Sequence, residues 1–152
     1  MEPRIVIKDE FMVVGLEYIG KNENREISQM WGELFPRISE IKNINNPGIF
    51  YGVCECTGDA ATGFSYIAGQ EVSDMDDIPE GMAGKVIPAA KYAVYTHTGS
   101  FEALSTTYQN IFQTWLPQSG MEIADGITLE LYDERFDNFS EKSAFDIYVP
   151  IK

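Results

Sequence analysis

Glu130 is the residue best placed to do chemistry. It stands in Ile127-Thr128-Leu129-Glu130-Leu131-Tyr132, whose alternation of apolar and polar residues predicts a strand. A carboxylate among hydrophobes, with an aromatic two residues along on the same strand face, is a seat for a lipophilic cation. Charge pairing, cation–π attraction and apolar burial would act there together. The same carboxylate could serve as a general base toward a water, with Tyr132 or another tyrosine donating a hydrogen bond. The alternative is an ordinary acid on the wetted face of an antiparallel sheet. His97, in Tyr95-Thr96-His97-Thr98-Gly99, could be a base or a haem ligand. No Ser, Cys or Asp motif surrounds it, and a histidine helping the chain turn into a helix is the plainer reading. Cys54 and Cys56 stand two apart on an extended segment, a poor geometry for a mutual disulfide. They read as structural thiols of a reducing compartment, the cytoplasm, and with a single histidine in the chain no metal or cofactor is expected.

The elements that must position these residues come in two similar sets. In the first half a β-rich run, Phe11 to Gly20, precedes a helical stripe of Ile27, Met30, Trp31, Leu34, Phe35, Ile38 and Ile41, which Pro36 kinks or divides. The turn Asn45-Asn46-Pro47-Gly48 leads to strands over 49–57 and 63–72. In the second half an extended run from Lys85 to Gly99 precedes a helix with Phe101, Leu104, Tyr108, Ile111, Phe112, Trp115 and Leu116 on one face. Ser100 is its expected N-cap, Glu102 suits its first turn and Pro117 is expected to stop it. Asp125-Gly126 opens the Glu130 strand, and Ala144 to Ile151 forms the last.

Each half thus reads β-α-β-β. Phe35-Pro36 and Leu116-Pro117 lie 81 apart, as do Phe64 and Phe145, and Gly48-Ile49 and Gly126-Ile127 lie 78 apart, as an internal repeat would have it. The expectation is one α+β domain over 1–152, with pseudo-repeats at about 1–72 and 84–152 and an acidic connector at 73–83. The two modules share an antiparallel sheet with both helices on one face and a ligand groove between them. Alternation suggests that Ile127, Leu129 and Leu131, with Phe145, Ile147 and Val149, face the helices. Thr128, Glu130 and Tyr132 would then face an open groove on the other side, with Asp146, Tyr148, Phe50, Gly52 and Cys54. Trp31 and Trp115 read as core, with one edge of either available to floor the groove. Met75 and Met82 flank the connector and would suit a flap, though a mobile loop is the simpler reading.

Composition narrows the function. The chain has 152 residues with 44% hydrophobic and 23% charged, as for an ordinary globular domain, and no run long enough to span a bilayer. The N-terminal residues do not form a secretion signal. With 11 Lys+Arg against 24 Asp+Glu the net charge is −13, which repels phosphates and disfavours direct nucleic-acid binding. The charge is spread evenly, with 13 acids and 6 bases in residues 1–76 and 11 acids and 5 bases in 77–152.

Several segments together resemble a known family. They are Ile87-Pro88, Lys91-Tyr92-Ala93-Val94, His97-Thr98-Gly99, Trp115-Leu116-Pro117, Glu130-Leu131-Tyr132 and Ile147-Tyr148-Val149-Pro150. The chain resembles the GyrI-like small-molecule-binding domain, the effector-binding module of many AraC-type and multidrug-sensing transcription activators. The likeness covers nearly the whole chain and is densest over 64–152. It implies a ligand groove between tandem modules, and it implies that Glu130 is a buried acid that pairs with cationic, lipophilic ligands. The aromatic wall is then to be sought among Tyr18, Phe50, Tyr51, Tyr66, Tyr92, Tyr132 and Tyr148, with Trp115 beside it, and Phe50, Tyr66 and Tyr132 come first. No helix-turn-helix segment precedes the domain here, so the expectation is a stand-alone binding protein that acts in transcription regulation or drug and toxin resistance. Two alternatives stay open: hydrolysis of strained electrophiles with Glu130 as base, and a protein partner such as gyrase or a separate regulator. A homodimer stays open as well.

Overall fold

The computed structural model describes residues 3–21, 24–56, 63–99, 103–124, 126–136 and 143–152. Among the described residues eight strands form one antiparallel sheet, and two helical segments pack on one of its faces. The strands are β1 Arg4–Lys8, β2 Phe11–Gly20, β3 Phe50–Cys56, β4 Phe64–Val72, β5 Ala83–Ile87, β6 Ala90–Thr98, β7 Thr128–Tyr132 and β8 Ala144–Ile151. Each half is therefore β-β-α-β-β, one strand longer than the alternation suggested. Pro88 is the reason in the second half: it offers no N–H to a ladder, so the extended run breaks into β5 and β6. In the first half β1 is an added strand ahead of the expected Phe11–Gly20 run, set off from it by Asp9 and Glu10.

The strand order is β1-β6-β8-β7-β3-β4-β2-β5. Exchanging each of the first four strands with the one four later maps this order onto itself, so β3 and β7 meet at a central pseudo-twofold. The first strand of each half pairs with the far half, β1 with β6 and β5 with β2. That exchange forces the sheet to curl. Lys8 and Phe11 are three peptide steps apart, at most about 11 Å. Yet β1 and β2 stand six places apart in the order, about 29 Å in a flat sheet. The same holds for Ile87 and Ala90, which join β5 to β6. The sheet ends must approach each other, and the enclosed face becomes a core of Phe11, Val13, Tyr51, Val53, Ile67, Ile87, Tyr92, Val94, Ile127, Leu129 and Tyr148.

Both helices pack on the outer face. The first is α1, Glu26–Leu34, which tightens to 3₁₀ geometry over Phe35–Glu40 with Pro36 in its first turn. Met30 and Leu34 are buried against Val14, Leu16, Tyr66, Ala68 and Val72. Gly32, inside α1, has open space where a Cβ would stand. Gly32→Ala is expected to stabilise by about 1 kcal/mol, a rise of about 2–4 °C in Tm by calorimetry.

The second helix is α-helical over Leu104–Asn110 (α2), π-helical over Ile111–Trp115, and α-helical again over Leu116–Ser119 (α3). Pro117 does not stop it. The residue falls in the first turn of α3, where a missing N–H is tolerated, and the helix ends instead at Gly120, whose φ of 79° suits glycine. The expected N-cap Ser100, with Phe101 and Glu102, lies outside the described residues, as does Asp125. Among the described residues no helix is long and apolar enough to cross a membrane.

Candidate functional site

The pseudo-twofold strands set the acid in place. Glu130 in β7 pairs with Gly52 in β3, and Gly52 pairs with Ala68 in β4. Gly52 is needed there: a Cβ would stand 2.1 Å from Tyr66 Oη and 2.7 Å from Glu130 Oε1. Into that space Tyr66 Oη–H donates to Glu130 Oε1 at 2.7 Å, joined by Tyr132 Oη–H at 3.0 Å. Tyr108, from α2, donates to Oε2 at 2.6 Å. Trp31, from α1, donates its Nε1–H to Tyr66 Oη at 3.2 Å. The carboxylate, buried at 8% exposure, is thus reached by α2 directly and by α1 through Tyr66. Burial, and next the negative charge of Glu130, hold the phenols of Tyr66, Tyr108 and Tyr132 well above the ordinary tyrosine range, so they stay protonated donors. None of the ion pairs among the described residues involves Glu130.

Aromatic rings enclose the acid. Trp31 meets Tyr132 at 5.4 Å and Phe50 at 6.4 Å between centroids, and Phe35 meets Phe50 at 5.8 Å. Tyr132 is stacked on Phe145 at 4.6 Å and edged by Phe136 at 4.9 Å. On the other helix Tyr108 and Phe112 lie parallel, 6.3 Å apart. Phe35 is 56% exposed and Phe112 38% exposed, so the rim is aromatic as well. The arrangement is an anionic centre enclosed by aromatic rings from the sheet and from both helices.

The model of the GyrI-like small-molecule-binding domain matches residues 1–152 of this sequence. The chain belongs to that family. The transcriptional regulator BrlR of Pseudomonas aeruginosa is 38% identical over 152 residues, which cover 99% of this chain and 56% of BrlR. The chain thus spans about half the length of that curated relative. SAV2435, solved bound to tetraphenylphosphonium, superposes with a TM-score of 0.81 at 19% identity, covering 100% of this chain and 94% of SAV2435. EcmrR, solved in a complex with DNA, gives a TM-score of 0.72 at 14% identity, covering 99% of this chain and 57% of EcmrR. This is therefore a GyrI-like small-molecule-binding domain, α+β, related to transcription regulators, with a buried and aromatically enclosed glutamate.

Within this GyrI-like domain the expected site residues divide. Glu130, Tyr132, Tyr66 and Phe50 come together. Tyr148 and Tyr92 do not: they pack edge-on at 5.6 Å inside the curled sheet. Trp115 stacks on Tyr95 at 5.8 Å under the second helix, in the same cluster as Tyr132 and Phe145. The facing of β7 is the reverse of the expectation. Ile127 and Leu129 line the enclosed core, whereas Glu130 and Tyr132 face the helices, on the side of Phe145, Ile147 and Val149. The acid thus lies on the helix-bearing face and not on the opposite one, which the curl of the sheet encloses. Asp146, expected beside the groove, is buried on the inner side, held by Arg4 at 3.0 Å, Arg135 at 2.9 Å and Thr96 at 2.7 Å. Cys54 is half-buried against the α1 side of the core.

Tyr108, Trp31, Phe35 and Phe136 were not among the first candidates. The available signal was a polar-tipped aromatic inside each helical stripe, Trp31 and Tyr108, which core packing also explains. His97 lies buried in β6, its Nδ1 2.7 Å from Thr107 Oγ1, so it anchors α2. Met75 and Met82 pack against the α1 side of the core. Among the described residues no group of three His, Cys, Asp or Glu is arranged to hold a metal ion.

Proposed function

We propose that the cleft between the two helices binds lipophilic organic cations, with Glu130 as the counter-charge and Trp31, Phe50, Tyr132 and Tyr108 as the aromatic wall. The observation that carries this reading is a buried carboxylate satisfied by three phenol donors and engaged in no ion pair among the described residues. Such a group keeps its negative charge available to a guest that brings a positive one. The tetraphenylphosphonium held by the structurally similar SAV2435 supports a guest of this class. The net charge of −13 adds a long-range pull on cations.

The domain then acts as a sensor. BrlR is a regulator and EcmrR binds DNA, and both exceed this domain in length, which supports coupling of ligand capture to a DNA-binding segment or partner. The domain's own charge disfavours direct contact with phosphates. Cysteine usage supports a cytoplasmic setting.

Calorimetric titration tests the reading with tetraphenylphosphonium and the neutral, similarly shaped triphenylphosphine oxide. Glu130→Gln is expected to weaken the cation by about 10–100-fold, the range for a lost charge-assisted contact, and to leave the neutral compound unchanged. Equal losses for both would overturn it.

A further inference from the structure

Two buried side-chain polar atoms among the described residues have no hydrogen-bond partner, Gln70 Oε1 and Tyr95 Oη. Both lie on the helix-bearing face, on opposite sides of Glu130. Tyr95 pairs with Ile147, which pairs with Glu130, and its ring is capped by Trp115. Gln70 is different. It is fully buried, and its Nε2–H donates to the Pro47 carbonyl at 2.9 Å, which fixes the amide and leaves Oε1 turned away from that contact. A buried carbonyl oxygen without a donor is unfavourable and uncommon.

Strand register places Gln70 relative to the acid. Glu130, Gly52 and Ala68 form one cross-strand row, and Gln70 stands two residues beyond Ala68 on the same face. Two strand spacings and one two-residue step separate it from Glu130, about 12 Å between Cα atoms. Alongside runs the row of Phe50 and Tyr132, which belong to the aromatic wall. Phe35 packs on Phe50 and is more than half exposed.

We propose that the preferred guest is a cation with a polar arm, whose terminal O–H or N–H donates to Gln70 Oε1 while its charged centre rests at Glu130. This rests on the cleft being a cation site and names the class of cation it prefers. An apolar pocket ordinarily disfavours an added hydroxyl, because the group loses its water contacts. Gln70 reverses that sign, since the hydroxyl meets an acceptor that nothing else among the described residues satisfies.

The test uses the full chain and a matched pair of ligands, octyltriphenylphosphonium and its 8-hydroxyoctyl analogue, titrated by calorimetry. The hydroxylated cation is expected to bind about tenfold more tightly to the wild type. Gln70→Met, of similar volume and without the acceptor, is expected to abolish that preference; Gln70→Leu provides a second variant. Equal affinities in the wild type, or a preference that survives in Gln70→Met, would overturn the proposal. Failure of both compounds to bind the wild type would overturn the cation reading itself, and this inference with it.

Discussion

Gly15→Val is expected to cost about 4 kcal/mol or more, a fall of at least about 8 °C in Tm, measured by urea and thermal unfolding. Gly15 in β2 stands opposite Gly69 in β4, and Gly69 stands opposite Tyr51 in β3. A Cβ at Gly15 would lie 1.9 Å from the Ala68 carbonyl oxygen, and one at Gly69 would lie 2.2 Å from the Val14 carbonyl oxygen. Both obstacles are backbone, so no rotamer change relieves them; the two strands must separate. The bare pair also leaves room on the enclosed face, where the Tyr51 ring packs on Phe11 at 5.3 Å. Gly69→Val is expected to behave alike, and the double variant to cost less than the two losses added, since one separation of the strands relieves both clashes. Stability of Gly15→Val within 1 kcal/mol of wild type, the order of an ordinary surface change, would contradict this packing.

The reach of the sequence differed for the acid and for its surroundings. Alternation, which is local, set Glu130 in a strand with hydrophobes on both sides and Tyr132 two along, and the family resemblance then singled it out as a buried acid. The repeat also aligned Gly52 with Glu130, and the two do pair across the pseudo-twofold. Which face that strand presents to the helices was not legible. Alternation tells which residues share a face, but a curled sheet buries both faces, so an apolar row such as Ile127 and Leu129 marks either one. The curl itself follows from β1 and β5 pairing with the opposite half, a long-range choice with no local trace. Trp31 and Tyr108 illustrate a third limit. Each sits in a helical stripe as a core residue would, and only the approach of two helices over one carboxylate brings Tyr108 onto Glu130 and Trp31 onto the Tyr66 phenol that Glu130 holds.

The same three phenols make the protein sensitive to alkali. Tyr66 and Tyr132 are buried and Tyr108 half-buried beside a carboxylate, and ionising any of them would place a second negative charge there. Their folded pKa values are raised, so the stability they confer is fully present below pH of about 10, where an unfolded tyrosine is still protonated. Above that point the unfolded chain releases protons that the native state retains, and stability falls as pH rises toward the folded values. Each tyrosine contributes a slope of about 1.4 kcal/mol per pH unit, so the three together give about 4 kcal/mol per unit. Tyr51, Tyr92, Tyr95 and Tyr148 are shifted upward by burial too and steepen the fall. Urea unfolding across the alkaline range, with ultraviolet absorbance of tyrosinate followed in parallel, should show most of the ionisation arriving together with loss of the fold. Tyr108→Phe is expected to flatten the slope by about one tyrosine's share. It also removes the donor to Oε2, at a cost of about 1.5–3 kcal/mol for a bond to a charged group. Ionisation of all eight tyrosines near pH 10 in a protein that stays folded would contradict the burial of these phenols around Glu130.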